Sequence, residues 1–132
     1  MSKSYSGLFG GTIGGSSRVW EDISPTQPNY PGTEIPRSFT IKTDNGVLWV
    51  HGNATEHMAE YLIKQLNTGH SSENNKLSAQ IMLYDMQKSL SAVTKNGIAY
   101  GRILKHSNWE FIINRARNDE PYDAVIHAFI RL

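Results

Sequence analysis

The sequence predicts an α+β domain, an antiparallel sheet with elements in the order ββααβββ and two helices packed on one of its faces. Three observations lead to this fold. Two alternating runs flank an Asn-Gly dipeptide at 45–46, two stretches between 53 and 95 have apolar residues at helical spacing, and alternation returns between 98 and 132.

Glycine and proline divide the chain before the domain begins. Six of the eleven glycines precede residue 33, and four of the five prolines lie between 25 and 36. Gly/Ser-rich sequence is typical of flexible linkers and Pro-rich sequence of extended ones. We therefore predict a flexible arm over 1–17, an extended segment over 18–37 along the domain surface, and one globular domain over 38–132.

The first two strands form a predicted hairpin. Asn45-Gly46 favours a two-residue type I′ turn, which would place Asp44 opposite Val47 and Lys42 opposite Trp49. Side chains alternate between the two faces of a strand. The predicted core face carries Phe39, Ile41, Leu48 and Val50, and the other face carries Thr40, Lys42, Trp49 and His51.

Two helices follow the hairpin. Asn53 and Glu56 resemble a capping box, so the first helix is predicted to start at Asn53 and to run to about Thr68, with Gly69 just beyond its end. The second helix is predicted from Asn75 to Lys95, where Asn96-Gly97 stops it.

The remaining sequence predicts three strands. Residues 98–106 and 109–114 alternate about a turn at Ser107-Asn108, and residues 122–132 form the last strand. This last strand has apolar residues at both alternating sets of positions, which favours a central place in the sheet.

Composition excludes several classes of function. The net charge is +1 and there is no cysteine, so thiolate metal sites and cysteine nucleophiles are absent and no strong field attracts nucleic acid or lipid. No signal peptide, membrane span, phosphate-binding loop or nucleophile elbow is visible. We expect a non-membrane protein that is cytoplasmic as synthesised, binds no metal and needs no cofactor.

Several spaced strings carry a family resemblance: YPGTEIPRSF (30–39), LWVHGNATEHMAEYL (48–62), TKNGIAYG (94–101) and VIHAF (125–129). Together, over residues 20–132, they resemble a C-terminal effector-like module of Gram-positive polymorphic-toxin and Rhs-type proteins. The resemblance implies a small metal-independent nuclease of mixed α+β build, delivery by a specialised secretion system and a cognate immunity protein. Because this chain has no long delivery region, a stand-alone or silent cassette is also compatible with it.

Three histidines are the candidate catalytic residues: His51, His57 and His127. Two histidines and a nearby cation can cleave RNA when one ring deprotonates the 2′-OH, the other protonates the leaving oxygen and the cation stabilises the phosphorane. The dipole at a helix N-terminus would favour a neutral His57 that acts as a base. The alternatives are an exposed strand histidine (His51), a solvated helix face (His57) and a hydrogen-bonded core histidine (His127).

The candidate substrate-binding residues are cationic or aromatic: Lys42, Trp49, Arg102 and Arg131. Trp49 would stack on a base, and the cations would contact phosphates of an RNA substrate. The rival hypothesis is a non-catalytic protein-interaction module, joined by its N-terminal arm to a larger assembly.

Overall fold

The computed structural model describes residues 13–66 and 72–131. The helices are α1 (Ile13–Ser16), α2 (Val19–Asp22), α3 (Gly52–Leu66) and α4 (Ser72–Val93). The strands are β1 (Ile23–Pro25), β2 (Phe39–Thr43), β3 (Gly46–Val50), β4 (Leu104–His106), β5 (Trp109–Asn114) and β6 (Ala124–Ile130). The chain is therefore α+β, as predicted, and the first residues of the predicted arm and the predicted helix end at 68–69 lie outside the described residues.

The six strands form one mixed sheet in the order β1-β2-β3-β6-β5-β4. The prediction of a purely antiparallel sheet is wrong, because β3 and β6 run parallel, with Trp49 opposite Ala124 and Val50 opposite Val125. The predicted element order also lacks β1, α1 and α2. Parallel neighbours need a long crossover connection, and α3, α4 and the β4-β5 hairpin supply it. The predicted central place of the last strand is confirmed.

The β2-β3 hairpin keeps its predicted faces but not its predicted register. Thr43 pairs with Gly46 and Thr40 with Trp49, so the strands are displaced by two residues from the predicted pairing. Because side chains alternate with a period of two, this displacement leaves every side chain on its predicted face. All four predicted core residues of the hairpin are buried (Phe39, Ile41, Leu48 and Val50).

The hairpin turn is set by contacts with α4 rather than by its own preferred geometry. Its two loop residues, Asp44 and Asn45, do not have the positive φ angles of a type I′ turn, and Gly46 has a φ of +126° instead. The Asn45 side-chain amide donates to the carbonyl oxygen of Ser91 (2.8 Å) and to the hydroxyl of Thr94 (3.0 Å). These bonds fasten the turn to the C-terminal end of α4.

One continuous core lies between the sheet and α4. Its centre includes Trp109 and Phe111 of β5 and Met86 and Leu90 of α4. We call this side of the sheet the helix face. The segment 18–37 contributes to the same core, with Val19 and Ile35 fully buried, and is therefore packed into the domain rather than lying along its surface. Within the described ranges, no helix has the length and apolar character needed to cross a membrane.

The opposite side of the sheet, which we call the second face, carries the alternate residues of the strands. Glu110 lies between Trp109 and Phe111 of the helix face, so it belongs to the second face together with its cross-strand neighbour Phe129. Helix α3 follows β3 directly and packs along β6. Its Met58 and Leu62 enter the core, whereas its His57 contacts residues of the second face.

Candidate catalytic site on the second face

Two of the three predicted histidines meet on the second face. The ring centroids of His57, on α3, and His127, on β6, are 6.5 Å apart, with their planes at 75°. Phe129 contacts both rings, at 5.7 Å from His57 and 6.4 Å from His127. Both histidines are at least partly exposed, so a bound molecule can reach them. We call this group, with Glu110 and Arg131, the histidine cluster.

Glu110 holds His127 in place across the strand pair. Nε2 of His127 lies 3.0 Å from Oε2 of Glu110, and the Arg131 guanidinium lies 3.4 Å from the other carboxylate oxygen. The hydrogen bond to His127 lowers the pKa of Glu110; partial desolvation opposes this effect, while Arg131, His127 and Lys105 add to it through their charges. Lys105 is the residue opposite Glu110 on β4. Glu110 is therefore an ionised partner for the His127 ring, with two cations beside it.

A bulge in the β5-β6 pairing brings His127 to the same face of the sheet as Glu110. The register shifts between Ile112 and Ile113, so Ile112 pairs with His127 and Ile113 with Val125. The shift leaves Ile126 without a cross-strand partner on β5, and it places Val125 on the helix face and His127 on the second face. Bulges commonly redirect a side chain in this way.

His51 has a structural contact that the sequence did not predict. Its Nδ1 accepts the backbone N–H of Asn53 (3.2 Å), and its carbonyl oxygen accepts the N–H groups of Ala54 and Thr55. His51 is thus the N-cap of α3, so the prediction that Asn53 and Glu56 form the cap is wrong. A neutral His51 that accepts at Nδ1 carries its proton on Nε2.

Helix α3 is held at its first turn by the segment 30–37. The Thr55 hydroxyl donates to the carbonyl oxygen of Arg37 (2.7 Å) and lies 2.8 Å from the Tyr30 hydroxyl. The Tyr30 hydroxyl also donates to the carbonyl oxygen of Gly52 (3.1 Å), and the Arg37 guanidinium lies over the Tyr30 ring at 4.9 Å. Two of the strings that carry the family resemblance therefore meet here and fix the helix that presents His57.

Of the four predicted binding residues, Arg131 alone lies in the histidine cluster. Trp49 lies against His51 with ring centroids 5.3 Å apart. Lys42 pairs with Val47, on the other side of Trp49 from His51, which at about 3.3 Å per residue places it roughly 13 Å from the level of His51. Arg102 precedes β4 at the far edge of the sheet. The structure does not bring Lys42 and Arg102 to the cluster.

Glu110 is the functional candidate that sequence reasoning missed. Its signal was a single carboxylate in the run WEFIIN, at a position that alternates with Trp109 and Phe111. Such a residue faces away from the core, but its partner depends on the pairing and bulge of β5 and β6, which the local sequence does not encode.

A second polar group lies on the helix face. The Trp109 indole donates to Oδ2 of Asp85 (2.7 Å), and Nδ1 of His106 lies 3.2 Å from the Ser89 hydroxyl. Burial raises the pKa of Asp85, although the Trp109 bond and the nearby charges of Lys88 and His106 act in the opposite direction. Ser89 is buried, so this group is part of the packing of α4 on the sheet.

The histidine cluster has the parts of an acid–base site. Two imidazoles close to one another can take a proton from a bound substrate and return one, and a carboxylate fixes the orientation of the second ring. In the described part of the chain, no three or more His, Asp or Glu side chains are placed to hold a metal ion.

Comparisons with known proteins do not assign the chain to a family. No protein-family model matches it, and no curated protein is significantly similar to it.

Proposed function

We propose that this chain is an effector-like domain of a bacterial polymorphic-toxin system and that it cleaves RNA without a metal ion, with His57 and His127 as its acid–base pair. The observation that carries the proposal is the contact of these two rings on the second face, with Glu110 bonded to one of them. The resemblance of residues 20–132 to such effector modules supports the same activity.

The chemistry needs two proton transfers. One imidazole takes the proton of the 2′-OH, whose oxygen attacks the adjacent phosphorus, and the other imidazole gives a proton to the departing 5′-oxygen. The products are a 2′,3′-cyclic phosphate and a free 5′-OH. Because the two ring centroids are 6.5 Å apart, both imidazoles can contact one bound phosphodiester, each through a catalytic hydrogen bond of about 2.6–3.2 Å.

The neighbours of the pair have supporting roles. Glu110 orients His127 through Nε2, which leaves Nδ1 of that ring for the substrate. Arg131 and Lys105 are close enough to the carboxylate to offset its charge, and both can stabilise the extra negative charge of the phosphorane. His51 is a positioning residue, because it caps the helix that presents His57 and contacts Trp49.

A non-catalytic interaction module is the second candidate. It is favoured by the apolar side chains that remain accessible on or beside the second face, among them Tyr122 at 38% and Ile103 at 58% exposed. Aromatic residues and arginine are enriched in protein interfaces. A cognate immunity protein bound there would also cover the histidine cluster, so this surface is compatible with both candidates.

The test compares four purified proteins on a single-stranded RNA in the presence of EDTA: wild type, His57→Ala, His127→Ala and the matched control His106→Ala. His106 lies on β4 and is hydrogen-bonded to Ser89, outside the cluster. General acid–base groups each contribute about 10²–10⁴-fold, so we expect that loss in the first two variants and near-normal cleavage in the control.

Expression of the same proteins in cells without an immunity protein provides a second measurement. Wild type and His106→Ala should inhibit growth, and the two cluster variants should not. A folded wild-type protein that is harmless and leaves RNA intact would contradict the nuclease proposal and favour the interaction module.

A further inference from the structure

A separate cavity of about 280 Å³ opens on the second face beside His51. Its floor is Trp49, and its walls are formed by Thr40, Pro121 and Tyr122. We call it the Trp49 pocket. Small-molecule pockets span roughly 300–1,000 Å³, so this volume suits one flat ring system rather than a large ligand.

The pocket is preformed by the loop 115–123. Asp123 closes this loop, since its Oδ1 accepts the N–H of Ala116 (2.8 Å) and its Oδ2 accepts the Tyr100 hydroxyl (2.7 Å). The carbonyl oxygen of Asp123 also accepts the backbone N–H of Trp49 (2.9 Å). The loop is therefore tied directly to the strand that carries the aromatic floor.

Trp49 itself is fixed on two sides. Its ring packs edge-on against His51, and its Nε1–H donates to the Thr26 hydroxyl on the neighbouring segment (3.4 Å). A fixed indole loses little conformational freedom when a ring stacks on it. Because any base can stack on an aromatic ring, stacking on Trp49 would not discriminate among the four bases.

Two carboxylates, Asp119 and Glu120, belong to the otherwise almost wholly apolar lining of the pocket. Oε1 of Glu120 accepts the N–H of Arg117 (3.2 Å), which leaves its second oxygen available, and Asp119 is exposed and makes no hydrogen bond within the described residues. Carboxylates only accept hydrogen bonds. Among the four RNA bases, guanine alone has two adjacent donors on its Watson–Crick edge, N1–H and the N2 amino group, whereas the others place an acceptor beside every donor.

We propose that the Trp49 pocket binds guanine, stacked on Trp49 with its Watson–Crick edge towards Asp119 and Glu120. This inference rests on the proposed RNA cleavage for its biological use. The pocket lies at the right distance for that use, because Trp49 pairs with Ala124 and His127 is three residues further along β6. At about 3.3 Å per residue this is roughly 10 Å, comparable with the length of one nucleotide.

The experiment measures binding of guanosine 3′-monophosphate, which has no phosphodiester bond to cleave, and of the adenosine, cytidine and uridine 3′-monophosphates. The proteins are wild type, Trp49→Leu, the control Trp49→Phe, and the double variant Asp119→Asn/Glu120→Gln. We expect wild type to prefer the guanosine nucleotide. Trp49→Leu should weaken its binding about 5- to 150-fold, the equivalent of one lost stacking contact, and Trp49→Phe should retain most of it.

The double variant separates stacking from selection. It should lower the affinity for the guanosine nucleotide to that for the uridine nucleotide, while the other three affinities change little. Equal affinity of wild type for all four nucleotides, or no binding to any of them, would overturn the proposal.

The two proposals fail in different ways. If wild type does not cleave RNA but guanosine binding is present and unchanged in His57→Ala and His127→Ala, the nuclease proposal is contradicted and the guanine-pocket proposal is retained. If wild type cleaves RNA without a preference for guanosine at the cut site, the nuclease proposal is retained and the guanine-pocket proposal is contradicted.

Discussion

Two neighbouring residues of β5, Trp109 and Glu110, each take part in a carboxylate interaction, and the two interactions lie on opposite faces of the sheet. On the helix face the Trp109 indole donates to Asp85, which is held between α4 and the sheet. On the second face Glu110 itself is the carboxylate, and its partners are His127 and Arg131. The two centres are one residue apart in sequence but differ in solvation and in the type of partner.

The difference shows which effect prevails at each position. At Asp85 burial is the largest influence and raises the pKa in spite of the Trp109 hydrogen bond. At Glu110 the hydrogen bond to His127 is the largest influence and lowers the pKa in spite of partial desolvation. Asp85 therefore serves to anchor an aromatic residue, whereas Glu110 is an ionised group that can orient a titratable ring.

The largest effect on the free energy of unfolding should come from removing the Trp109 side chain on the helix face. Trp109→Ala deletes a fully buried indole that stacks on Phe111 at 5.5 Å, and such substitutions cost about 3–5 kcal/mol of unfolding free energy. Trp109→Phe keeps most of the volume but leaves Asp85 without its donor, which costs about 1–3 kcal/mol. Urea denaturation measures both, and a Trp109→Phe variant as stable as wild type would contradict a separate contribution from the hydrogen bond.

The pH dependence of stability should have opposite signs at the two centres. The raised pKa of Asp85 contributes stability that is present below its ordinary value of 3.8 and is lost as the pH rises through the folded-state pKa. The lowered pKa of Glu110 contributes stability that is present above its ordinary value of 4.5 and is lost as the pH falls through the folded-state pKa.

Urea midpoints of wild type, Asp85→Asn and Glu110→Gln between pH 3 and pH 7 test these signs. Relative to wild type, Asp85→Asn should gain stability as the pH rises, and Glu110→Gln should lose it. If both differences change in the same direction, the contrast between the two carboxylates is wrong.

The smallest effect on stability should come from Arg131→Ala. Arg131 is 68% exposed, its contact with Glu110 is 3.4 Å, and exposed ion pairs contribute little to folding. We expect an unchanged urea midpoint together with slower RNA cleavage, with Arg117→Ala, at another exposed arginine, as a control that keeps its cleavage rate. A clear loss of stability in Arg131→Ala would mean that the second face is held by this ion pair.

The sequence predicted the helices and strands of residues 38–132, but it did not predict β1, α1 and α2 or the correct partner of every strand. Alternation in 38–51 placed Phe39 and Ile41 in the core correctly even though the register was displaced by two, because faces depend only on the period. The register itself depended on Asn45, whose amide bonds the far end of α4. The parallel pairing of β3 with β6 had no local signal, since it joins residues 75 positions apart.

The candidate site was also predictable only in part, because the sequence indicates candidate residues but not which of them meet in the folded chain. His57 and His127 were named as candidates from residue type and position, but their contact depends on the path of α3 beside β6. The role of His51 as N-cap was missed because Asn53 is the commoner capping residue, and the choice between them depends on where the strand ends. Glu110 needed the bulge between Ile112 and Ile113, which only the assembled sheet specifies.

The position of β6 also constrains the order of folding. This strand alone joins β1-β2-β3 to β5-β4, and until it docks, β3 and β5 both have an unpaired edge. Strands β2-β3, β4-β5 and β5-β6 pair across short loops, whereas the pairing of β6 with β3 joins residues 75 positions apart, which is the slow class of event in folding kinetics. His57 follows β3 and His127 lies on β6, so the contact of the two rings depends on this long-range pairing, and a chain truncated before β6 carries both hairpins without the histidine pair.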